Sequence, residues 1–416
     1  MKLKDFTWLL AGILMVGCSS DDDNVVESEN TVSGTEETSV LGLTEEQQSM
    51  VAPLNDFSVR LFQQLNASAE DKSTVVSPLG TSFVLGMLNE GATGQTGSEI
   101  VAALGLTGND KESVSLLFTQ YISAIPAADG DVTVAFANNV SVNNRFNLKD
   151  TYQTAVEHSY DASVFSLDFA SPAATSAVNS WCSQHTRGLI PSIVEKLSPD
   201  DVLCLLNAIY FKARWTTPFN KQSSHGMPFY SAQGERILKM MSRTATMQYA
   251  EQKDLQALRL PLAKGVYAMT IVLPSAKLGL DAFVRSLTAQ QLNSLAFSDE
   301  QVEAAIPIFT TTVDTDLARQ LKALGVNRLF NTEAELTGMV SSPSPLYVSK
   351  MKQNTRIGID EDGCEGAAVS IAELTLGADF DNTSKPKQFM ATSPFVYYIS
   401  EVQSGTILFM GQFCGD

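Results

Sequence analysis

The 416-residue chain has few of the residues on which most enzymes and metal proteins depend. Its three histidines and five cysteines form no H-E-x-x-H motif and no C-x-x-C pair. Neither a zinc site nor a disulfide framework is therefore indicated. The G-x-S-x-G sequence of a nucleophile elbow is also missing. We expect no metal, no cofactor and no catalytic activity.

Basic residues are also scarce, since 28 Lys and Arg stand against 46 Asp and Glu and the formal charge is −18. No basic stripe suits a nucleic acid, so none is expected as a partner. Part of the acidic excess lies near the amino terminus, where residues 19–46 contain no Lys or Arg. The acids of this segment are Asp21, Asp22, Asp23, Glu27, Glu29, Glu36, Glu37, Glu45 and Glu46.

Only the amino terminus has the pattern of an export signal. Lys2 and Lys4 precede an apolar stretch that ends at Gly17-Cys18, which predicts a signal peptide over 1–17. Residues 15–18 resemble a bacterial lipobox, which implies a lipid on Cys18; ordinary signal-peptidase cleavage is the alternative. The acidic run after Cys18 resembles the tag that sends some lipoproteins to the cell surface. These resemblances predict an exported protein, anchored by lipid to a bacterial outer membrane and facing outward.

Residues 18–45 are polar and acidic without periodicity, so we predict a lipidated, disordered tether. Residues 46–416 are predicted to form one domain. Thr44 and Gln47 make a capping-box pattern before a helix, and a second helix follows Ser77-Pro78. Strand-like runs lie at 132–142, 202–211, 268–273 and 346–359, and 395–413 has the pattern of a hairpin broken at Ser404-Gly405. This order predicts an α+β domain.

Several segments of this domain together resemble one known family. They occur in the family's order at 76–79, 88–92, 137–139, 179–181, 186–190, 206–219, 240–241, 305–307, 324–326 and 334–339. The chain resembles the serpins from about residue 50 to its end. The resemblance implies helices packed around a large central mixed sheet plus further sheets, with an exposed reactive loop at about 361–393.

The most diagnostic segment is 359–369, which resembles the serpin hinge, where the reactive loop leaves the central sheet. The implied hinge residues are Glu361, Gly363, Cys364, Glu365, Gly366, Ala367 and Ala368. A hydroxyl residue is usual in the family at Cys364, and alanine is commoner at Gly366. The resemblance also implies shutter and breach residues within the sheet, namely Ser77, Asn207, Trp215 and Gln353. Many members have histidine where Gln353 stands.

The loop sequence itself fits a strand that can join a sheet. Alternate residues face opposite sides of a sheet. One row is small or apolar: Cys364, Gly366, Ala368, Ser370, Ala372 and Leu374. The other row holds both acids: Glu365, Ala367, Val369, Ile371, Glu373 and Thr375. No proline interrupts them, so no ladder donor is lost. An alanine-rich surface loop or short helix is the alternative.

The resemblance implies a monomeric inhibitor of serine, and also papain-like cysteine, endopeptidases. It acts as a suicide substrate: the loop is cleaved, an acyl-enzyme forms and the loop inserts. Counting from Glu361 puts the scissile bond at Gly377-Ala378, with Leu376-Gly377 and Phe380-Asp381 as alternatives. The small apolar surroundings favour elastase-like, subtilisin-like or papain-like targets over trypsin-like ones. A non-inhibitory binding protein of the same fold is the alternative function.

Cys364 has two interpretations of its own. It either fills a small buried site as a modest hydrophobe or acts as a redox brake on insertion.

Overall fold

The computed structural model describes residues 40–67, 69, 71–188, 190–341, 346–364 and 385–416. The predicted signal peptide, Cys18 and most of the predicted reactive loop lie outside these residues. Within them no helix is both long and apolar enough to cross a membrane. The same residues contain no cluster of His, Cys, Asp or Glu that could hold a metal ion.

The first two helices begin where the sequence predicts. The Thr44 hydroxyl accepts from the Gln47 amide and the Gln47 side chain accepts from the Thr44 amide, a complete capping box. Ser77 caps the second helix through the Gly80 amide. The α-helices of the described residues are α1 Glu45–Asn66, α2 Pro78–Gly91, α3 Gly94–Ala103, α4 Lys111–Ala127, α5 Asp150–Tyr160, α6 Pro172–His185, α7 Leu280–Ser286, α8 Ala289–Asn293 and α9 Ala318–Ala323.

The strands number fifteen over the same residues and make two sheets. They are β1 Thr74–Val76, β2 Thr133–Asn143, β3 Ala162–Leu167, β4 Leu203–Arg214, β5 His225–Ser231, β6 Gly234–Gln252, β7 Leu255–Leu262, β8 Tyr267–Pro274, β9 Ser298–Pro307, β10 Phe309–Asp316, β11 Val348–Ile359, β12 Gly363–Cys364, β13 Lys387–Met390, β14 Phe395–Glu401 and β15 Ile407–Phe413.

The central sheet has six strands in the order β10-β11-β12-β4-β2-β3. It is mixed, since β11 runs parallel to β4 while β2 runs antiparallel to it. The second sheet has nine strands, with β1-β15-β14-β8-β7-β6-β9-β13 in order and β5 paired to β6. The segregated helices and mixed sheets confirm the predicted α+β class.

The two sheets pack through aromatic side chains. Phe211 of β4 meets Tyr267 of β8 and Phe409 of β15 edge to face, with ring centroids 5.9 and 5.8 Å apart. On the opposite face of β4, Cys204, Leu206 and Ala208 pack beneath α6 and the segment after it. The odd-numbered residues of β4 therefore face the inter-sheet core. The even-numbered residues face the opposite side of the sheet, which we call its outward face.

The packed body begins earlier than predicted, which corrects the tether boundary at residue 45. Leu41 is fully buried, and its carbonyl accepts from the Gln120 side chain at 2.6 Å. The Val40 amide donates to the Gln403 side chain at 2.8 Å. Leu41 and the partly buried Leu43 pack against the core, and the pattern of the first helix alone does not reveal this.

Candidate functional site at the open end of the central sheet

The central sheet is open at one end, between its parallel strands β4 and β11. These strands pair directly from Val348 with Leu203 to Thr355 with Ile209. Beyond that point, β12 lies between them: Cys364 pairs with Ile359 on one side and Ala213 on the other. Two residues of the segment that leads into the predicted reactive loop, Gly363 and Cys364, therefore already lie as a short strand between β4 and β11.

A tight turn carries the chain from β11 into β12. The Asp360 carboxylate accepts from the backbone amides of Asp362 and Gly363 at 2.8 and 3.1 Å. The Asp360 amide donates to the Gly363 carbonyl at 3.0 Å. Acceptance of amides two and three residues ahead is the usual way in which aspartate closes a turn.

Trp215 and Phe219, which follow β4, hold the outside of this turn. The Trp215 indole donates to the Asp360 carbonyl at 2.8 Å, and its amide donates to the Asp362 carbonyl at 3.0 Å. The Phe219 amide donates to the Glu361 carbonyl at 2.8 Å. These bonds are broken if the turn moves away from β4.

The buried Glu361 carboxylate ties the turn to the second sheet. The Lys239 ammonium lies 2.7 Å from it and the Ser224 hydroxyl donates to it at 2.8 Å. Burial by itself raises the pKa of Glu361, but the hydrogen bonds from Lys239 and Ser224 and the Coulombic attraction of Lys239 outweigh burial, so the pKa lies below its usual value. The neighbouring Asp362 forms a 2.6 Å ion pair with Lys221.

Gly363 and Cys364 fit positions with little space. A Cβ on Gly363 would lie 2.2 Å from the Ala213 carbonyl oxygen, so only glycine lets β12 approach β4 this closely. Cys364 is 1% exposed and faces the inter-sheet core. Burial, and then the Asp360 carboxylate, raise the pKa of its thiol, so little thiolate forms at neutral pH. Its geometry fits the small buried hydrophobe better than a redox brake.

Deeper in the sheet, Ser77, Asn207 and Gln353 form one buried network. The Gln353 side-chain amide donates toward the Ser77 carbonyl, the Thr81 hydroxyl and the Asn207 side chain at 2.9, 3.2 and 3.1 Å. Its side-chain oxygen accepts from the Ser77 amide at 2.9 Å and the Thr355 hydroxyl at 3.2 Å. Because an amide both donates and accepts, Gln353 joins β11, β4 and α2 at once.

Three members of this network were not among the predicted site residues. Thr81 and Thr355 bond to Gln353, while Asn138 accepts from the Asn207 amide at 2.8 Å and donates to the Tyr160 carbonyl at 2.8 Å. Asn138 stood in a segment that carried the resemblance, but nothing in the sequence linked it to Asn207. Trp215, which the resemblance groups with these residues, contacts the Asp360 turn instead and is not part of this network.

The remaining predicted site residues lie outside the described part of the chain. They are the hinge residues Glu365, Gly366, Ala367 and Ala368, the scissile-bond candidates Leu376, Gly377, Ala378 and Phe380, and the lipidation site Cys18.

Comparison with known proteins agrees with this geometry. The family model described as "Serpin (serine protease inhibitor)" matches residues 52–415. Serpin-Z7 of Hordeum vulgare is 30% identical over 391 residues, which cover 89% of this chain and 97% of the relative. The native structure of the thermophilic serpin tengpin superposes with a TM-score of 0.81 at 24% identity, covering 90% and 95% of the two chains. Human thyroxine-binding globulin superposes with a TM-score of 0.81 at 23% identity, covering 88% and 98%.

Proposed function

The chain belongs to the serpin family, and we propose that it inhibits serine endopeptidases by inserting its own cleaved loop into the central sheet. Members of the family are generally serine protease inhibitors. The observation that carries the proposal is the position of β12 between β4 and β11.

The pairing of β12 sets the register of a longer strand. Because β12 runs antiparallel to both neighbours, each further loop residue moves one position back along β4 and one back along β11. Ala368 would then come between Ile209 and Thr355, and Ser370 between Asn207 and Gln353. In the present structure Ile209 of β4 pairs directly with Thr355 of β11, and Asn207 pairs directly with Gln353. The two strands can therefore part and accept the loop without changing their relative register.

In this register the small row faces the inter-sheet core. Cys364 already does so, and alternation gives the same face to Gly366, Ala368, Ser370 and Ala372. These side chains are small enough to enter between the aromatic and aliphatic residues of two packed sheets. A bulky or charged residue in this row would oppose insertion by overpacking or desolvation.

The outward row matches the other face of the sheet. Val369 and Ile371 would lie beside Ala208 and Leu206, which pack beneath α6, so apolar side chains suit these positions. Glu365 would lie beside Lys212. Glu373 would lie beside Lys350, which now pairs with Asp201 at 2.6 Å. Both acids of the inserted strand would thus be near an ammonium group.

Insertion would also have to open the shutter network. Ser370 would replace the 3.1 Å contact between Gln353 and Asn207 with its own hydroxyl. The broken bonds lie in the middle of the sheet, so they oppose insertion until cleavage frees the loop. A sheet that is held closed in this way keeps the intact protein metastable.

The inhibition then follows from the distance that the strand covers. The target's nucleophile forms an acyl-enzyme with the cleaved loop. A strand of ~14 residues at about 3.3 Å per residue moves that enzyme by about 45 Å. Contact with the far end of the inhibitor then distorts the oxyanion hole of the protease. Loss of one hydrogen-bond donor from an oxyanion hole lowers the catalytic rate by a factor on the order of 10²–10³.

The target class follows from the loop sequence. Leu374-Thr375-Leu376-Gly377-Ala378 is small and apolar, which favours elastase-like, subtilisin-like or papain-like endopeptidases. Lys385 is followed by Pro386, a poor bond for a trypsin-like enzyme. We place the scissile bond at Gly377-Ala378, with Leu376-Gly377 and Phe380-Asp381 as competitors. The amino-terminal pattern adds the proposal that the inhibitor acts at the outer surface of a bacterial cell, held there by Cys18.

The test mixes protein lacking residues 1–38 with elastase-like, subtilisin-like, papain-like and trypsin-like proteases. A band on a denaturing gel that contains both proteins would support the covalent trap, and mass spectrometry of the released carboxy-terminal peptide would identify the scissile bond. If active proteases only cut the loop and none is retained, inhibition is ruled out for this panel. The alternative would then be a non-inhibitory binding protein of the same fold.

A further inference from the structure

The hairpin of β5 and β6 has an exposed apolar surface on one face. Tyr230 and Ile237 are 55% and 66% exposed. Pro228 pairs directly with Ile237, and Tyr230 lies diagonally across from Ile237, so the three side chains share one face. On the opposite face Phe229 is buried in the core. We call Pro228, Tyr230 and Ile237 the hairpin surface, since contiguous exposed apolar side chains are typical of contact sites.

The hairpin surface lies beside the chain that precedes residues 365–384. Lys239 follows Ile237 by two residues on the same face of β6, which is about 7 Å along a strand. The Lys239 ammonium lies 2.7 Å from the Glu361 carboxylate, and the Ser224 hydroxyl, just before β5, donates to that carboxylate at 2.8 Å. The amino-terminal end of the predicted reactive loop is therefore fixed to the same hairpin.

The chain that follows residues 365–384 meets this hairpin too. Beyond β13, the Thr392 carbonyl accepts from the Tyr230 amide at 2.8 Å. The hairpin surface is thus bonded to the chain on both sides of the predicted loop. A protein interface of ordinary size covers about 800 Å² on each partner, more than a few loop residues in an active-site cleft provide. A protease that binds this loop therefore contacts its surroundings, of which the hairpin surface is part.

An acidic side chain borders the hairpin surface. Glu235 pairs directly with Tyr230 and is exposed. It forms no ion pair with any residue that the structure describes, whereas the Lys239 ammonium is already bound to Glu361. A chain of net charge −18 also attracts a basic partner. The surface therefore fits an apolar patch that has a lysine or arginine at its edge.

We propose that the hairpin surface is a second contact site for the target protease, separate from the loop that the active site holds. The matching part of the protease is an apolar surface loop with one lysine or arginine beside it. This inference rests on the proposed function, because it takes a protease as the partner. Such a contact selects among proteases that cleave the same small, apolar loop sequence, since it depends on the protease surface outside the cleft.

The first test is the rate of covalent complex formation with a protease that the parent full-length chain traps. Tyr230→Thr and Ile237→Thr, alone and together, remove the apolar surface but keep a residue that favours strands. Leu116→Gln on α4 is the matched control, because Leu116 is 56% exposed. We expect the rate constant to fall about three- to tenfold in the double variant and to stay within about twofold in the control. Unchanged unfolding midpoints should show that all variants fold.

The second test measures reversible binding to the same panel of proteases with their nucleophile replaced by alanine. The double variant should bind about three- to tenfold more weakly than the parent, and Leu116→Gln should bind as the parent does. Glu235→Gln should lower the association rate at low salt and have little effect at about 0.5 M salt, where exposed charges are screened.

The outcomes separate this proposal from the proposed function. Equal rates of covalent trapping in the double variant and in Leu116→Gln overturn the second contact and leave inhibition standing. If nothing is trapped but the inactive protease binds the parent more tightly than the double variant, inhibition fails and the contact stands. Absence of both trapping and binding overturns both. A parent dimer that the double variant loses assigns the surface to a second copy and overturns the proposal.

Discussion

The Lys239 ammonium of β6 lies 2.7 Å from the Glu361 carboxylate, so one ion pair joins the second sheet to the turn that precedes the predicted reactive loop. Glu361 is 5% exposed, whereas the lysine side chain is 58% exposed. Solvent therefore weakens the attraction, but loss of the lysine leaves a buried carboxylate with fewer partners.

Lys239→Met should consequently loosen the hinge. We expect the intact protein to lose about 1 kcal/mol in its first unfolding transition, measured with denaturant. Lys387→Met, which removes an exposed ion pair with Glu251, is the matched control and should change little. Equal effects of both changes would contradict a special role for Glu361.

The same carboxylate gives the hinge a pH dependence. Its pKa is lowered below 4.5 in the folded protein, so its stabilising contribution is fully present above the unfolded value and is lost as the pH falls through the folded value. Stability should therefore be insensitive to Glu361 between pH 6 and 8 and should fall below about pH 4.5. Subtracting the profile of Glu361→Gln removes the contributions of the other carboxylates. If the stability of the parent chain and that of Glu361→Gln fall in parallel below about pH 4.5, Glu361 does not cause the pH dependence.

Gly363→Ala should displace β12. Its new Cβ would meet the Ala213 carbonyl oxygen at 2.2 Å and the Arg214 Cα at 2.7 Å, and both are backbone atoms that cannot move aside easily. We expect a loss of roughly 1–3 kcal/mol and a larger fraction of cleaved, non-complexed protein. Gly130→Ala is the control because its Cβ would meet no atom within 4 Å. Normal stability and normal inhibition in Gly363→Ala would show that β12 is not needed.

Two adjacent alanines test the register of insertion. Ala368→Glu would bury a carboxylate between Ile209 and Thr355, whereas Ala367→Glu would place one on the outward face beside the exposed Arg356. The number of inhibitor molecules consumed per protease should rise several-fold for Ala368→Glu and little for Ala367→Glu. The reverse order would mean that the opposite row faces the core.

Gln353→Leu should destabilise the closed sheet. The change keeps a similar volume but removes five hydrogen bonds, and it leaves the Asn207 side-chain oxygen and the Ser77 backbone amide without the partner that Gln353 provides. Buried groups left unpaired cost about 1–3 kcal/mol each, so we expect a loss of roughly 2–4 kcal/mol after local adjustment. Gln388→Leu, which removes one exposed contact with Glu303, provides the comparison. A loss as small as that of Gln388→Leu would contradict the network.

Much of the fold was predictable because local patterns and packing agree. The capping box at Thr44, the helix after Ser77 and the strand that became β4 all occur within a few residues of the prediction. Cys364, the first residue of the predicted small row, lies in the inter-sheet core, and the rest of the row remains a prediction. These features depend on neighbours in sequence, which a single chain reveals.

The rest of the site depends on long-range contacts. Lys239, Ser224 and Lys221 hold the hinge turn, yet they lie more than a hundred residues before it and carry no motif. Gln353 departed from the family pattern, and only its five contacts show how an amide serves at that position. Leu41 and Leu43 lie just before the capping box at Thr44, so a prediction that starts the folded domain at the first helix leaves them in the tether.

The most direct test of loop insertion compares the thermal unfolding of the intact chain with that of the chain cut once in the loop. Cleavage should raise the unfolding midpoint by roughly 20 °C, because about ten residues gain strand hydrogen bonds on both sides and bury small side chains. Mass spectrometry should confirm one cut between residues 374 and 385 with both fragments retained. An unchanged or lower midpoint after that cut, as for an ordinary nicked protein, would contradict insertion between β4 and β11.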